Sequence, residues 1–205
     1  MQLNAQLWAS HQRFFLQLIL ALKVDTCYEV AQQAVANNQA VVIGLFSTGE
    51  AALQDTAADG DIYFSSIFST AKQIVLAIIK LTGETAPPEI TAALEALELP
   101  PSPLDNLIDI LGGVESVAEM SGRSHRLARV YPGDESSGFM IEKRNSKRDN
   151  LKERDAFMQG HMNIAIITAA ASVGISLQAS KRCNNKKQRV HIILELPWSA
   201  DKAIQ

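Results

Sequence analysis

A short apolar run followed by small residues, within residues 163–178, constrains the fold of this chain more than any other stretch. The run IAII, residues 164–167, is too short for a helix and rich in β-branched side chains, which predicts a buried parallel strand. Small residues follow it, AAAS and then Gly174. A buried strand that ends in such a turn brings backbone N–H groups to a ligand in many α/β sheets, so this stretch is a candidate binding loop. The alternative is an ordinary strand-to-loop connection.

Further apolar runs predict the strands that join this one in a sheet. They span residues 41–45 and 190–196, and shorter strands are predicted over 117–120 and, at a sheet edge, 139–141. From the apolar spacing, helices are predicted over residues 3–22, 25–37, 89–97, 104–111 and 151–159, with another inside 64–81. This alternation is typical of an α/β fold in which helices cover both faces of a parallel sheet. We expect one domain over residues 1–205, with a helical insertion over 55–103.

Composition narrows the class of protein. Hydrophobic residues make up 47% of the chain, charged residues 20%, and the net charge is −3, which indicates a folded protein and argues against a generally basic nucleic-acid-coating one. Cys27 and Cys183 form no CxxC pair, so neither a metal site nor a disulfide framework is predicted, and a reducing intracellular compartment is expected. The apolar stretch after Arg13 is interrupted by Gln17 and predicts a core helix rather than a membrane span.

A turn with hydroxyl side chains follows the strand at residues 41–45. Ser47, Thr48 and Gly49 form this turn, and Glu50 begins the next helix. One interpretation is a contact with a phosphate or a nucleic-acid backbone at a helix N-terminus. The alternative is a helix capped by Ser47 or Thr48 with no ligand.

Two basic stretches lie in the second half of the chain. Arg123, His125, Arg126 and Arg129 follow a Ser-Gly turn and predict either a basic edge near nucleic acid or a solvated charged turn. Residues 181–189 form a strongly basic loop between two predicted strands. That loop is interpreted either as an aid to backbone binding or as a solvated insertion.

The order of these blocks resembles a known family. The blocks are HQRFF, VVIGLFSTGEA, AEMSGR, FMQG, IAIITAAASVGISLQA and RVHIILELPWSADKAIQ, and they span nearly the whole chain. In content and order they are similar to the helicase C-terminal domain of the Strawberry notch family, the second RecA-like domain of a superfamily-two helicase. The resemblance implies an ATP-dependent, DExD/H-type helicase-like protein that acts in the nucleus, in transcriptional regulation and chromatin-linked processes.

The same resemblance implies roles for particular residues. Ser172 and Gly174 lie in the motif V loop, which touches nucleic-acid backbone and the nucleotide cleft. Ser47, Thr48 and Gly49 lie in the motif IV region, and Gln205 is the first residue of motif VI. The expected partners are a DNA or RNA backbone, the N-terminal RecA-like domain of the same protein, and transcription or chromatin proteins; no membrane partner is expected. ATP and Mg²⁺ are expected in the full-length protein, and none bound by this chain alone.

Departures from the family bear on catalysis. Phe46 stands where the family usually has glutamine, and Ala169 where it usually has glutamate, so hydrogen bonds at the cleft are expected to be missing. The sequence contains no GxxxxGK[ST] phosphate loop, no DExD/H box, and no motif VI arginines after Gln205. We therefore predict no ATPase activity from this chain alone. The alternative hypothesis is a non-catalytic protein that binds partners or nucleic acid through a retired helicase fold.

Overall fold

The computed structural model describes residues 2–48, 63–81, 87–130, 138–168, 171 and 175–196. Its helices are α1 (Gln2–Leu22), α2 (Val24–Ala36), α3 (Thr70–Leu81), α4 (Pro88–Ala96), α5 (Pro103–Ile110) and α6 (Ser146–Gln159). Its strands are β1 (Ala40–Leu45), β2 (Tyr63–Phe64), β3 (Val117–Met120), β4 (His125–Val130), β5 (Gly138–Lys143), β6 (Ile164–Thr168) and β7 (Arg189–Ile193).

Four strands form the main sheet, in the order β3-β6-β1-β7, and all neighbours are parallel. Strand β1 is central and pairs with β6 from Val41 opposite Ile164 to Leu45 opposite Thr168. Its β-branched, almost entirely buried sequence AVVIGL suits a strand with helices on both sides. The predicted RecA-like α/β class is confirmed.

Helices cover both faces of this sheet, as predicted. On one face Val41, Ile43 and Leu45 pack with the buried side chains of α2 and α5. On the other face Val42 packs with Phe157 of α6 and with Ala171. The alternation of side chains along β1 therefore divides the core into two layers, with the sheet between them.

A second, antiparallel sheet has the strand order β2-β5-β4. The strand predicted at residues 139–141 exists as β5, but it is the central strand of this small sheet rather than an edge of the main one. Strand β4 was not predicted, because its sequence HRLARV places charged or polar side chains on both faces. Arg126 and Leu127 are both buried nonetheless.

Two helix starts differ from the sequence-based prediction. Helix α2 begins at Val24, so Asp25 and Thr26 lie in its first turn and do not cap it. Helix α6 begins five residues earlier than predicted, because the side chain of Asn145 accepts a hydrogen bond from the N–H of Arg148 and caps the helix. Its end is as predicted, with Gly160 in the left-handed region at φ 86°.

Helix α1 is the longest and lies against α3. It buries Leu20 but exposes several large apolar side chains, namely Trp8, Phe15, Ile19 and Leu22. Among the described helices, none is long and apolar enough to cross a membrane. The predicted insertion over residues 55–103 stays a prediction; α3 and α4 lie within it, and residues 55–62 and 82–86 lie outside the described part of the chain.

The parallel strands give the main sheet two distinct edges. The carboxyl edge carries the residues after β1, β3 and β7, including Ser47, Ser121 and Glu195. The amino edge carries the residues before β6 and β7, including Asn163 and the basic loop 180–188. Five- and six-residue strands separate these edges by roughly 16–20 Å.

Candidate nucleic-acid interface

The turn after β1 is held by a carboxylate from the end of β7. The N–H groups of Phe46 and Ser47 both donate to the same oxygen of Glu195, Oε2, each at 2.8 Å. The Ser47 hydroxyl donates to Oε1 of the same carboxylate at 3.1 Å. Glu195 is 5% exposed, so three donors converge on an almost completely buried anion. This arrangement fixes the backbone of the turn that the sequence predicts as a phosphate contact.

The predicted contacts Ser47 and Thr48 both lie at the carboxyl edge, but their hydroxyl groups differ in hydrogen bonding. The single hydroxyl proton of Ser47 is used by Glu195. Thr48 is half-buried, and its hydroxyl has no hydrogen-bond partner among the described residues. The third predicted contact, Gly49, lies outside the described residues.

Strand β6 ends beside this turn. Leu45 and Thr168, the last residues of β1 and β6, are paired directly. The Thr168 hydroxyl is buried and has no hydrogen-bond partner within the part of the chain that the structure describes. The predicted motif V residues Ser172 and Gly174, together with Ala169 and the motif VI residue Gln205, lie outside the described residues.

Arg123 does not lie where its predicted phosphate contact needs it. Its side chain is 1% exposed, and its guanidinium donates to Asp105 at 2.7 Å and to the two oxygens of Glu119 at 2.6 and 2.9 Å. A group whose donors are taken by buried carboxylates cannot reach a phosphate in this conformation. The structure therefore contradicts Arg123 as a backbone contact. It equally contradicts the solvated-turn alternative for this residue.

Arg123 belongs to a buried ion cluster that joins the two sheets. Arg144, from the end of β5, lies 2.8 Å from Glu119 and donates to Glu153 of α6 at 3.2 Å. Arg126 of β4 donates to Glu153 at 3.0 Å. Because the members come from α5, α6, β3, β4 and the end of β5, the cluster connects the small sheet to the main one. We infer a structural role, since buried charges of this kind need partners.

Electrostatics in this cluster follow from its burial and pairing. Burial alone would raise the pKa of Glu119, but Arg123, Arg144 and Ser121 hold it at about 2, below its ordinary 4.5. Burial would likewise lower the pKa of Arg123, while Asp105 and Glu119 raise it above its ordinary value. Both groups are therefore charged at neutral pH.

The basic loop lies at the other edge of the sheet. Two hydrogen bonds hold it there: the Gln188 carbonyl accepts from the N–H of Ala40, and the side-chain amine of Lys187 donates to Asn163 Oδ1 at 2.8 Å. Asn185 is 3% exposed and donates to the Phe157 carbonyl, while the Arg189 guanidinium lies over the Phe157 ring. The loop and Ser47 thus lie at opposite edges, so they do not act together on one short stretch of backbone.

Sequence reasoning missed two residues at the carboxyl edge. Glu195 is the first acidic residue after Asp155, and it follows directly on an apolar run that predicts a buried strand. Because acidic side chains are seldom buried unless they are paired, this position could have predicted a carboxylate with a specific partner. Lys23 is exposed, and its amine donates to the Leu194 carbonyl at 3.1 Å. Nothing local marks Lys23, because the contact joins residues 171 positions apart.

The described residues contain no cluster of metal-binding side chains. No group of three or more His, Cys, Asp or Glu side chains that could hold a metal ion occurs among them. The residues predicted to face the nucleotide lie outside the described part.

Comparison with known proteins identifies the family of this chain. A family profile described as the C-terminal domain on Strawberry notch homologues matches residues 102–205. The chain belongs to the Strawberry notch family. The match covers α5, the ion cluster, β6 and β7, and so includes Glu195.

Individual Strawberry notch proteins extend the similarity. The chain is 32% identical to protein strawberry notch homolog 1 of Rattus norvegicus over 302 positions, covering 98% of the chain and 23% of that protein. It is 50% identical to the Caenorhabditis elegans homolog over 125 positions, and 47% identical to FORGETTER 1 of Arabidopsis thaliana over 122 positions. Each of these two matches covers 57% of the chain, and 6% and 9% of the relative, respectively.

The chain thus spans less than a quarter of the length of these relatives. The alignment with the rat protein has 302 positions and the chain 205 residues, so the rat protein carries additional residues within the matched span. No solved structure matches the chain.

Proposed function

We propose that this domain is the second motor domain of a Strawberry notch-like, ATP-dependent helicase-like protein. In this role it binds the backbone of DNA or RNA and contributes one wall of an ATP cleft. The observation that carries the proposal is the alignment of strand ends at the carboxyl edge. Leu45 and Thr168 are paired, so the turn at Ser47 and Thr48 lies beside the start of the motif V stretch. Ligands of open α/β sheets bind at this edge.

The chemistry of this edge suits a phosphate backbone rather than base recognition. Thr48 offers a hydroxyl and Lys23 an exposed ammonium group, which can both donate to phosphate oxygens, and neither side chain is the planar amide that pairs in a bidentate way with adenine. A motor that moves along a strand needs sequence-independent contacts of this kind. We expect binding to weaken as salt concentration rises, because such contacts release counterions.

The departure at Phe46 does not remove the contact seen here. The hydrogen bond at this position comes from the backbone N–H, which phenylalanine supplies as well as glutamine. The side-chain hydrogen bonds of the family's glutamine are still missing at Phe46, and this departure continues to favour the alternative of a non-catalytic binding protein. The other departure, Ala169, lies outside the described residues.

ATP and Mg²⁺ would be held mainly by an N-terminal RecA-like domain, which we propose as the intramolecular partner. This sequence has no phosphate loop and no DExD/H box. ATP hydrolysis would supply the energy for closing two such domains around nucleic acid. Transcription or chromatin proteins as partners, and the nucleus as location, are part of the same proposal and rest on the family.

Two assays test this function. Fluorescence anisotropy with labelled single-stranded DNA and RNA measures binding by the 205-residue chain at several salt concentrations. ATP hydrolysis is then compared between this chain and a longer protein that includes the N-terminal RecA-like domain. We expect salt-sensitive binding, no turnover by the chain alone, and turnover by the longer protein that nucleic acid stimulates. Turnover by the chain alone would overturn the proposal. No binding at a low salt concentration of about 50 mM would also overturn it, because contacts with a phosphate backbone are strongest at low salt.

A further inference from the structure

We infer that Glu195 is a positioning residue that orients the turn after β1 for nucleic-acid binding, and that Thr48, not Ser47, makes the phosphate contact. This inference rests on the proposed function and assigns separate roles within it. It is carried by the three hydrogen bonds from Phe46 and Ser47 to one buried carboxylate. Glu195 is not one of the site residues predicted from the sequence.

The hydrogen bonds leave Ser47 no free donor. Its N–H and its hydroxyl both donate to Glu195, at 2.8 and 3.1 Å. A phosphate offers only acceptors to such a group, so it would have to displace the carboxylate. The negative charge of Glu195 would also repel a phosphate that took its place beside Ser47, and burial would strengthen that repulsion. Ser47 therefore acts through Glu195 rather than on the ligand.

Thr48 is the next residue along the same turn and is differently placed. It is half-buried, and its hydroxyl has no partner among the described residues. Its position depends on the backbone of Phe46 and Ser47, which Glu195 holds. A hydroxyl oriented in advance loses less conformational freedom on binding, which raises affinity.

Glu195 also links this turn to another part of the chain. The N–H of Leu194 donates to the Gly44 carbonyl at 2.9 Å, so the chain after β7 still lies alongside β1 at the residue before the carboxylate. The residues that follow Glu195 lead, by family resemblance, to motif VI at Gln205. The carboxylate thus joins the proposed nucleic-acid contact to the strand that precedes motif VI.

Substitution of Glu195 separates geometry from charge. In Glu195→Gln the amide oxygen can accept both N–H groups, since both already share one oxygen, and the amide NH₂ can donate to the Ser47 hydroxyl. The turn is kept while the charge is removed. In Glu195→Ala all three hydrogen bonds are lost. The charge-matched control is Glu115→Gln, an exposed carboxylate near the amino edge.

The experiment measures the affinity of these variants of the 205-residue chain for a labelled single-stranded oligonucleotide by anisotropy. We expect Glu195→Ala and Thr48→Val each to bind about tenfold more weakly, roughly the effect of one hydrogen bond to a charged acceptor. Glu195→Gln and Glu115→Gln are expected to bind no more weakly than wild type. The double variant Glu195→Ala/Thr48→Val is expected to match Glu195→Ala alone, because the two residues act through one contact.

The positioning role is overturned if Glu195→Ala binds like wild type, if Glu195→Gln loses as much affinity as Glu195→Ala, or if the two losses simply add. Weaker binding by Ser47→Ala than by Thr48→Val would overturn the assignment of Thr48. If Glu195→Ala does not fold, Glu195→Asp replaces it, because its carboxylate is one methylene shorter.

Hydrogen exchange at the amides of Phe46 and Ser47 separates a failure of this inference from a failure of the proposed function. Faster exchange in Glu195→Ala but not in Glu195→Gln supports the conclusion that Glu195 holds this turn. That result is independent of whether the wild type or any variant binds nucleic acid. Unchanged exchange in Glu195→Ala overturns it.

Discussion

At the scale of single residues, Glu119 is a charged side chain without access to solvent. It is completely buried, and Arg123 and Arg144 surround its carboxylate. Glu119→Gln would leave these arginines short of one negative charge. We expect the free energy of unfolding at pH 7 to fall by about 3–5 kcal/mol, the usual cost of breaking a buried ion pair. Chemical denaturation with urea measures it, with exposed Glu115→Gln as the control.

The pH dependence of this effect follows from the direction of the Glu119 pKa. In the folded state the pKa is about 2, below the ordinary 4.5, so the stabilisation is present above pH 4.5. It is lost as pH falls through about 2, when the folded-state carboxyl takes up its proton. The difference between wild type and Glu119→Gln should therefore shrink steadily below pH 4.5. A difference that is constant from pH 7 to pH 3 would contradict this account.

The two cysteines differ in environment and should differ in reactivity. Burial raises the pKa of the Cys27 thiol to about 11, and the residue is 3% exposed. Cys183 is partly exposed in the loop at the amino edge. Because the thiolate is the reactive form, a disulfide reagent at pH 8 should modify Cys183 quickly and Cys27 only after unfolding. In Cys183→Ser no fast-reacting thiol should remain; one that does would show that Cys27 is accessible.

The residue scale also shows where the sequence is informative. Ser47 and Thr48 were predicted at the end of a strand and lie there, because local pattern determines where a strand ends. Arg123 was misinterpreted, because its partner Asp105 is 18 positions away and its burial depends on the packing of α5 against β3 and β4. An arginine beside a Ser-Gly turn has the same local signature whether it faces solvent or a buried carboxylate.

At the scale of elements, the separation of the two sheet edges decides what the basic loop can do. Lys181, Arg182 and Lys186 are exposed on this loop, at the amino edge. They lie roughly 16–20 Å from the turn after β1, about twice the distance over which physiological salt screens a charge. Their charges therefore contribute little to a ligand bound at the carboxyl edge.

This separation predicts the result of neutralising the loop. The triple variant Lys181→Ala/Arg182→Ala/Lys186→Ala should keep its affinity for a short single-stranded oligonucleotide within about twofold at 0.15 M salt. Lys23→Ala, which removes one exposed charge at the carboxyl edge, should weaken binding more. Titration by anisotropy distinguishes them. A loss above about tenfold in the triple variant would place the phosphate contacts on the loop, since three lost contacts have that effect.

Elements also differ in how well their sequences predict them. The strands β1 and β6 and the end of α6 at Gly160 were predicted because apolar runs and a C-terminal glycine mark them locally. Strand β4 was not predicted, because Arg126 is a charged residue whose burial depends on ion pairs with Glu142 and Glu153. The sequence of the strand itself does not reveal these partners. The start of α6 depends on a cap at Asn145 that the preceding polar stretch conceals.

At the scale of the whole molecule, the main sheet accounts for the proposed function through its topology. A parallel order β3-β6-β1-β7 places the ends of β1, β6 and β7 at one edge, where the turn at Ser47 and Thr48 and the Glu195 carboxylate follow. The class of fold was predictable from alternating strands and helices. The pairing of Leu45 with Thr168, and the bridge from Glu195 to Ser47, join segments far apart in sequence and depend on the tertiary fold.

The measurement that tests the central claim most directly is hydrogen exchange of the chain with and without a saturating single-stranded oligonucleotide. The claim is that nucleic acid binds at the carboxyl edge of the main sheet. We predict slower exchange in peptides that contain residues 45–48, and unchanged exchange in peptides from loop 180–188. Protection confined to loop 180–188, or none in residues 45–48 at saturation, would contradict it.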